Sequence, residues 1–219
     1  MKKIIFALVS VVALASCGGN DTATDAAAIP KQDTVVPQVC IYSYDSSATE
    51  IGFGAFKFTE KKEVKGGFLK FMVDSTIESE HMYDVFKNAQ FTIEIEGLST
   101  KDPARDNTLK KSFFAAMDST AFITGKVRGV GLGATPSGMA LIVDLKLNNV
   151  VKEIILPIEV KEDQLIFTGT INLDDFKAEK ALASLNKACK DLHKGPDGVS
   201  KTWNEVNIYV STKLKNSCK

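Results

Sequence analysis

The chain has 219 residues, and its 27 lysine and arginine residues balance its 27 aspartate and glutamate residues. No stretch concentrates basic residues among aromatic ones, which argues against a nucleic-acid-binding surface. The sequence has two histidines, His81 and His193, and no closely spaced cysteine pair, so it lacks the usual zinc and redox motifs.

The chain begins with the pattern of an export signal. Lys2 and Lys3 precede an apolar run from Ile4 to Ala13, and small residues follow before Cys17. A basic start, a short apolar middle and small residues at the end are typical of a bacterial signal peptide. Since a membrane span takes about 20 apolar residues, this run is too short to be one. We predict a signal peptide over residues 1–16.

The residues Leu14, Ala15 and Ser16 before Cys17 resemble the lipobox of bacterial lipoproteins, in which the cysteine becomes the lipidated first residue. This resemblance implies lipidation at Cys17 and a protein anchored to a membrane of the cell envelope, on its periplasmic or cell-surface side. Residues 17–38 have no sustained hydrophobic period, so we interpret them as the lipidated N-terminus and a flexible linker. Residues 39–219 are long enough for one domain with its own core.

Alternation of apolar residues dominates this domain, as in Ile51, Phe53 and Ala55, and predicts β-strands. After a first strand that starts near Ile41, further strands are predicted at 67–77, 89–96, 121–132, 138–147, 151–159, 164–173 and 203–214. Short polar segments at 61–65, 133–137, 148–149 and 161–163 predict turns between antiparallel neighbours. We expect an all-β fold with minor α content, an antiparallel barrel of about eight strands. A barrel of that size is able to hold one small ligand.

Three segments break the β pattern. Residues 78–88 predict a short helix, and residues 103–117 place apolar side chains at helical spacing. Residues 175–192 predict an amphipathic helix with Asp174 or Asp175 as its N-cap. We expect this last helix to cover one mouth of the barrel.

Three cysteines remain besides the anchor. Cys40 opens the first strand and Cys218 closes the last, and in a closed antiparallel barrel these two ends are neighbours. An oxidising envelope permits a Cys40–Cys218 disulfide across the barrel seam, and Cys189 is the alternative partner of either cysteine.

Three motifs resemble the YceI-like family of envelope proteins. The first joins Ile51-Gly52-Phe53 to the segment from Lys65 to Phe71. The second runs from Leu98-Ser99-Thr100 through Arg105-Asp106 to Phe113-Phe114, with Thr108 where the family usually has histidine. The third runs from Leu147 to Pro157. The resemblance implies a lipocalin-like barrel that holds an isoprenoid-like chain in a long apolar cavity, and a homodimer, since family members often pair.

The ligand residues that we predict are Ile51 and seven phenylalanines at strand or motif positions: Phe53, Phe68, Phe71, Phe91, Phe113, Phe122 and Phe167. Together they would line a smooth apolar tunnel for a hydrophobic small molecule, such as an isoprenoid, a quinone-like molecule or another lipid. The alternative is that these rings pack against one another and fill the barrel, which would make the protein a scaffolding lipoprotein.

Other chemistry has little support in the sequence. Glu78, His81 and Asp84 share a helical spacing, but a lone histidine beside surface acids is usually solvated, so we predict no metal site. Asp106 with Arg105 resembles a catalytic or head-group pair, but we interpret Asp106 as a capping or loop-fixing residue. The chain has no Gly-x-Ser-x-Gly elbow and no cysteine with a histidine partner, so we expect a binding protein without a cofactor and without catalytic residues.

Overall fold

The computed structural model describes residues 38–118 and 121–219. The predictions for the signal peptide, the lipidated Cys17 and the linker fall on residues 1–37 and lie outside the described residues. The described chain forms ten strands: β1 Cys40–Lys57, β2 Lys62–Phe68, β3 Phe71–Asp74, β4 Gln90–Glu94, β5 Leu98–Ser99, β6 Phe122–Leu132, β7 Met139–Leu147, β8 Val150–Lys161, β9 Gln164–Asn172 and β10 Thr202–Cys218.

All strands pair in antiparallel fashion in one sheet of order β3-β4-β6-β7-β8-β9-β10-β1-β2-β5. The two ends of this order meet, because β3 follows β2 and β5 follows β4 along the chain. There, the Leu69 amide donates to the Gly97 carbonyl at 2.8 Å, and the Glu94 amide donates to the Lys70 carbonyl at 3.0 Å. The sheet therefore curls into a barrel, as predicted.

The strand count differs slightly from the expected eight because two ribbons are interrupted. Leu69 and Lys70 separate β2 from β3, and a 3-10 turn at Ile95–Gly97 separates β4 from β5. The predicted strand at 67–77 therefore breaks and ends at Asp74. The predicted turn at 61–65 is wrong, because the chain reverses at 58–61 and residues 62–65 already belong to β2. The Asn148–Asn149 turn is confirmed, with the positive φ angles of 50° and 59° that a tight hairpin requires.

Helical segments lie at both ends of the barrel. Residues 78–88 form only a 3-10 turn at Asp84–Phe86, which buries Val85 and Phe86. Helix α1, Pro103–Thr108, continues through a π turn at Leu109–Phe113 and a 3-10 turn at Phe114–Ala116. No helix in residues 38–118 and 121–219 is long and apolar enough to cross a membrane.

Helix α2, Glu179–Ala188, is shorter than predicted. Asp174 and Asp175 do not cap it, because residues Leu173–Phe176 form a separate 3-10 turn that buries the Phe176 ring. Lys177 then turns the chain with a φ of 54°, and Ala178 precedes the helix without a side-chain cap. Of the apolar face predicted for this helix, Ala178, Leu185 and Cys189 are buried, but Leu192 is exposed because it lies beyond the end of the helix.

The Cys40–Cys218 disulfide is present, and Cys189 is the free cysteine among the described residues. Cys40 and Cys218 are direct partners in the β1–β10 ladder. Beyond them the pairing continues, because Val39 and Lys219 exchange two backbone hydrogen bonds of 3.2 and 2.9 Å. The bond therefore fastens the seam between the first and last strands.

Candidate functional site

An apolar cavity of about 230 Å³ runs through the barrel between two clusters of core residues. A cavity needs only about 10–15 Å³ to hold a single water, so this one is far larger than a packing defect. Aliphatic and aromatic side chains from nearly every strand line it, together with four hydroxyl-bearing residues. Those four are Tyr44, Thr49, Thr202 and Thr212.

The length of the cavity follows from the strand pair that lines it from end to end. The ladder between β1 and β10 runs from the Thr49–Thr212 pair to the Lys57–Thr202 pair, eight residues along β1. At about 3.3 Å per residue and a barrel tilt of about 35–45°, that distance is about 20 Å along the axis. The cavity is therefore long and narrow rather than round.

Two phenylalanine rings lie flat against the wall because glycines stand beside them. Phe53 pairs with Gly66 across the β1–β2 ladder, and Phe91 pairs with Gly125 across the β4–β6 ladder. A Cβ atom on Gly66 would meet the Phe53 ring at 2.5 Å, and one on Gly125 would meet the Phe91 ring at 2.3 Å. Each ring therefore occupies the space that a neighbouring side chain would fill. This arrangement keeps the rings away from the axis.

The α1–α2 region closes one end of the cavity. Leu109 and Phe113 from the π turn and Leu182 and Leu185 from α2 line it there. The buried Asn148 holds this region together: its side-chain amide donates to the carbonyls of Phe176 and Lys177 at 2.9 and 2.8 Å, and its side-chain oxygen accepts from the Asp118 amide at 2.8 Å. The expectation that α2 covers one mouth is thus consistent with its position.

A small polar group lies at the opposite end of the cavity. The hydroxyls of Thr49 and Thr212 are 2.7 Å apart, and the Thr49 hydroxyl also donates to the Asp45 carbonyl at 2.9 Å. Tyr44 lies at the same end, its ring packed edge-on against Phe86. Within residues 38–118 and 121–219, the Tyr44 hydroxyl oxygen is the one buried side-chain nitrogen or oxygen without a hydrogen-bond partner.

Burial raises the pKa of Tyr44 above its usual value, and the Asp45 carboxylate acts in the same direction. The hydroxyl of Thr49, which also bonds Thr212 and the Asp45 carbonyl, lies beside the phenol and opposes this rise as a hydrogen-bond partner. The phenol is therefore neutral at physiological pH and keeps its proton for donation.

The polar groups at the helical end are already satisfied. The Thr202 hydroxyl lies 2.6 Å from His193 Nδ1 and donates to the Asn186 side chain at 3.1 Å, and the Trp203 indole N–H donates to the Phe58 carbonyl at 2.7 Å. Burial is the main cause of a lowered pKa for His193, and the positive charges of Lys57 and Arg105 lower it further. His193 is therefore neutral at physiological pH.

Six of the eight predicted ligand residues line the cavity: Ile51, Phe53, Phe68, Phe91, Phe113 and Phe167. Phe71 packs against the core at the side of the cavity without lining it. Placing Phe122 in the tunnel is wrong: its side chain is 51% exposed and faces a groove on the outer surface. The inward face of β6 carries Ile123, Gly125 and Val127 instead, one residue out of register with Phe122.

Sequence reasoning missed the polar end and much of the helical end. The alternating pattern does not predict that Tyr44 points inward, because β1 has a register shift between Tyr44 and Thr49. Inward-facing residues before the shift are therefore an odd number of positions from those after it. The sequence predicts an amphipathic helix over residues 175–192 but gives its apolar side chains no role in the tunnel, whereas Leu182 and Leu185 line it. The wall formed by β10 was predictable from its apolar alternation, because Val206, Ile208 and Val210 all line the cavity.

The second family-like motif builds the loop before α1 and the helical turns that follow. Asp106 accepts hydrogen bonds from the backbone amide and the hydroxyl of Thr100 at 2.7 and 2.6 Å, which confirms its loop-fixing role. Thr108 donates to the Ala104 carbonyl within α1 and does not line the cavity. The described part of the chain shows no cluster of three or more His, Cys, Asp or Glu side chains arranged for a metal ion.

A curled antiparallel barrel with an internal apolar cavity defines a lipocalin-like protein. The chain belongs to the YceI-like family, because the model of the YceI-like domain matches residues 42–214. Residues 1–17 match the prokaryotic membrane lipoprotein lipid attachment site, which supports a lipid-anchored envelope protein. No curated protein matches the chain.

Two solved structures share the fold. BcnA of Burkholderia cenocepacia has a TM-score of 0.54 and 13% identity, over 80% of this chain and 99% of that one. A polyisoprenoid binding domain from Saccharophagus degradans, implicated in plant cell wall breakdown, has a TM-score of 0.54 and 12% identity, over 82% of this chain and 99% of that one. At such low identity these similarities establish the fold alone.

Proposed function

We propose that this protein is an envelope lipoprotein that binds a hydrophobic chain, an isoprenoid, quinone-like molecule or other lipid, inside its barrel and shields it from water. The observation that carries the proposal is the long, almost wholly apolar cavity along the barrel axis. Burial of an apolar chain there contributes about 25 cal/mol for each Å² removed from water. A lipid anchor would keep the protein beside the membrane in which such chains dissolve.

The lining has the chemistry of binding rather than catalysis. The described residues around the cavity include no histidine, cysteine, lysine or carboxylate that would serve as a nucleophile or general base. The polyisoprenoid-binding domain with a similar fold adds support by analogy. We therefore assign no catalytic role to any residue.

A substitution that fills the cavity tests the proposal. Val210 lines the cavity from β10, opposite Ile51 in the ladder, so Val210→Trp places an indole across the tunnel. Phe122→Trp is the matched control, because Phe122 lies on the outer surface. Each full-length lipoprotein is purified from its own envelope, and bound molecules are measured by native mass spectrometry and by organic extraction.

We expect the wild type and Phe122→Trp to carry an apolar molecule and Val210→Trp to lose most of it. A thermal melt verifies that the Val210 variant is folded, since overpacking costs about 1–3 kcal/mol. A wild-type protein that carries no lipid, or a folded Val210→Trp variant that retains as much as the control, would contradict the proposal. The first result would favour the scaffolding alternative with a self-filled barrel, and the second would place the bound lipid outside the cavity.

A further inference from the structure

We propose that the helical end of the barrel docks onto the anionic surface of the bilayer that holds the lipid anchor, with lysines at the headgroups and Trp203 at the interface. This inference goes beyond the proposed function, because it concerns the outer surface of the protein and holds whatever the cavity contains. The docking surface consists of the tip of the β1–β2 hairpin, residues 56–62, and the segment from the end of α2 to the start of β10, residues 187–203.

Hydrogen bonds join these two segments into one surface. The Phe58 amide donates to the Lys201 carbonyl at 3.0 Å, and the Trp203 indole N–H donates to the Phe58 carbonyl at 2.7 Å. The Lys57 ammonium donates to the Leu192 carbonyl at 3.4 Å. Side chains of the hairpin tip and of the later segment therefore lie together at this end of the barrel.

Apolar and aromatic side chains on the docking surface lie among lysines. Leu192 and Val199 are 70% and 48% exposed. The Lys201 ammonium lies 4.2 Å from the centre of the Trp203 ring, and the Lys61 ammonium lies 5.1 Å from it. In the described part of the chain, four of the five contacts between a lysine ammonium and an aromatic ring lie on this surface. Tryptophan, lysine and exposed aliphatic residues together are typical of a protein surface that settles at the headgroup level of a bilayer.

The charge of the docking surface suits an anionic bilayer. Its two segments carry seven lysines and three acidic residues. Glu205 lies just beyond them and forms an ion pair with Lys61, which leaves an excess of three positive charges. The other segments at this end, residues 100–118 and 173–186, carry six charged residues of each sign and leave that excess unchanged.

The opposite end of the barrel has the opposite charge. Its connecting segments carry one lysine and five acidic residues; they are residues 75–89, 133–138 and 162–163. Two lysines of β10 at that end are already paired, Lys213 with Asp163 at 2.9 Å and Lys215 with Asp45 at 3.7 Å. An anionic bilayer therefore attracts the helical end and repels the other.

The length of the tether permits this orientation, although the tether joins the barrel at the opposite end. The described chain begins at Gln38, close to the start of β1 at Cys40. From Cys40 to Lys57, β1 advances 17 positions, or about 40–46 Å along the axis. The 20 residues between Cys17 and Gln38 reach about 66–72 Å when fully extended. The anchor and the docking surface are therefore able to lie in one bilayer.

Trp203 reports docking directly, because it is the one tryptophan of the sequence and belongs to the docking surface. The full-length lipidated protein is held in phosphatidylcholine vesicles with or without phosphatidylglycerol. A fraction of the phosphatidylcholine carries a nitroxide on its headgroup, which quenches the fluorescence of a tryptophan near the bilayer surface. A nitroxide at the headgroup stays in the interface, so it does not quench from inside the apolar cavity.

Two variants change the docking surface and leave the lysines beside the indole in place. They are Lys190→Gln/Lys194→Gln, at two exposed lysines, and Leu192→Ser. Two matched controls make the same changes at the opposite end: Lys87→Gln/Lys219→Gln, at two exposed lysines, and Leu132→Ser, at a leucine that is 91% exposed.

We expect stronger quenching of wild-type Trp203 with phosphatidylglycerol than without it, and the excess should vanish in about 1 M salt, where the screening length is about 3 Å. Each lysine near an anionic surface strengthens binding about fivefold, so Lys190→Gln/Lys194→Gln should lower the ratio of docked to undocked protein at least about tenfold. Leu192→Ser should also lower the quenching, and both controls should match the wild type. Equal quenching in the two lipid mixtures, or an equal loss in the controls, would overturn this inference. The proposed function would stand in either case, because it is tested by the molecules that the cavity carries.

Discussion

Removal of the Cys40–Cys218 disulfide should destabilise the barrel mainly by increasing the conformational entropy of the unfolded chain. The bond joins residues 178 positions apart, so it closes almost the whole described domain into one loop. The chain-entropy relation gives about 5 kcal/mol for a loop of that length. In the native state little should change, because Val39 and Lys219 hold the same strand ends together through backbone hydrogen bonds. Residual structure in the unfolded chain lowers the entropic gain, so we expect a loss of about 3–5 kcal/mol.

Urea unfolding followed by Trp203 fluorescence measures this loss for the double variant Cys40→Ser/Cys218→Ser. The wild type in reductant is an internal control, since it should reach the same unfolding free energy as the variant, and the variant should not respond to reductant. A double variant within about 1 kcal/mol of the oxidised wild type would refute the reasoning. It would show that the reduced unfolded chain is already as restricted as the cross-linked one.

Two further variants and one labelling experiment test the helical end of the barrel. The pKa of His193 is lowered in the folded protein, so the unfolded chain binds the proton more readily. The free energy of unfolding should therefore be highest above the usual pKa of 6.5 and fall as the pH drops below it. Urea titrations should show this fall in the wild type and not in His193→Gln. Asn148→Gly keeps the backbone free to adopt its φ of 50° but removes three hydrogen bonds, so it should cost about 2–4 kcal/mol in the same titration, and a loss below 1 kcal/mol would contradict this. Burial raises the pKa of Cys189, so this thiol should react with iodoacetamide only in urea, and rapid labelling of the folded protein would disprove its burial.

Local periodicity was enough to predict the barrel, because most of its walls are regular antiparallel hairpins. The alternation of Ile51, Phe53 and Ala55 places all three on the cavity wall, and the Asn148–Asn149 turn follows from residues that tolerate positive φ. Closure of the sheet favours the pairing of Cys40 with Cys218, which the structure contains, although the sequence leaves Cys189 open as a partner of either. Each of these inferences needed only the period of a strand and the order of its neighbours.

Errors arose wherever tertiary contacts set the register. Phe122 is apolar and aromatic, as expected of a tunnel residue, but the inward-facing positions of β6 begin at Ile123. Nothing in the local sequence shows which of these two neighbours faces inward. Tyr44 is the opposite case. The alternation does not place it in the cavity, but the register shift between Tyr44 and Thr49 in β1 does. The predicted cap of α2 failed because burial of Phe176 takes precedence over a capping hydrogen bond.

The cavity itself depends on pairs of residues rather than on single positions. An eight-stranded barrel is just wide enough for its side chains to fill, so a lumen persists only if large side chains are kept off the axis. Gly66 and Gly125 do this by leaving wall space for the rings of Phe53 and Phe91. A methyl group on Gly66 would push the Phe53 ring toward the axis and narrow the lumen without adding any large side chain. The capacity of this barrel for a ligand is therefore a property of its phenylalanine–glycine pairs, and not of the number of its phenylalanines.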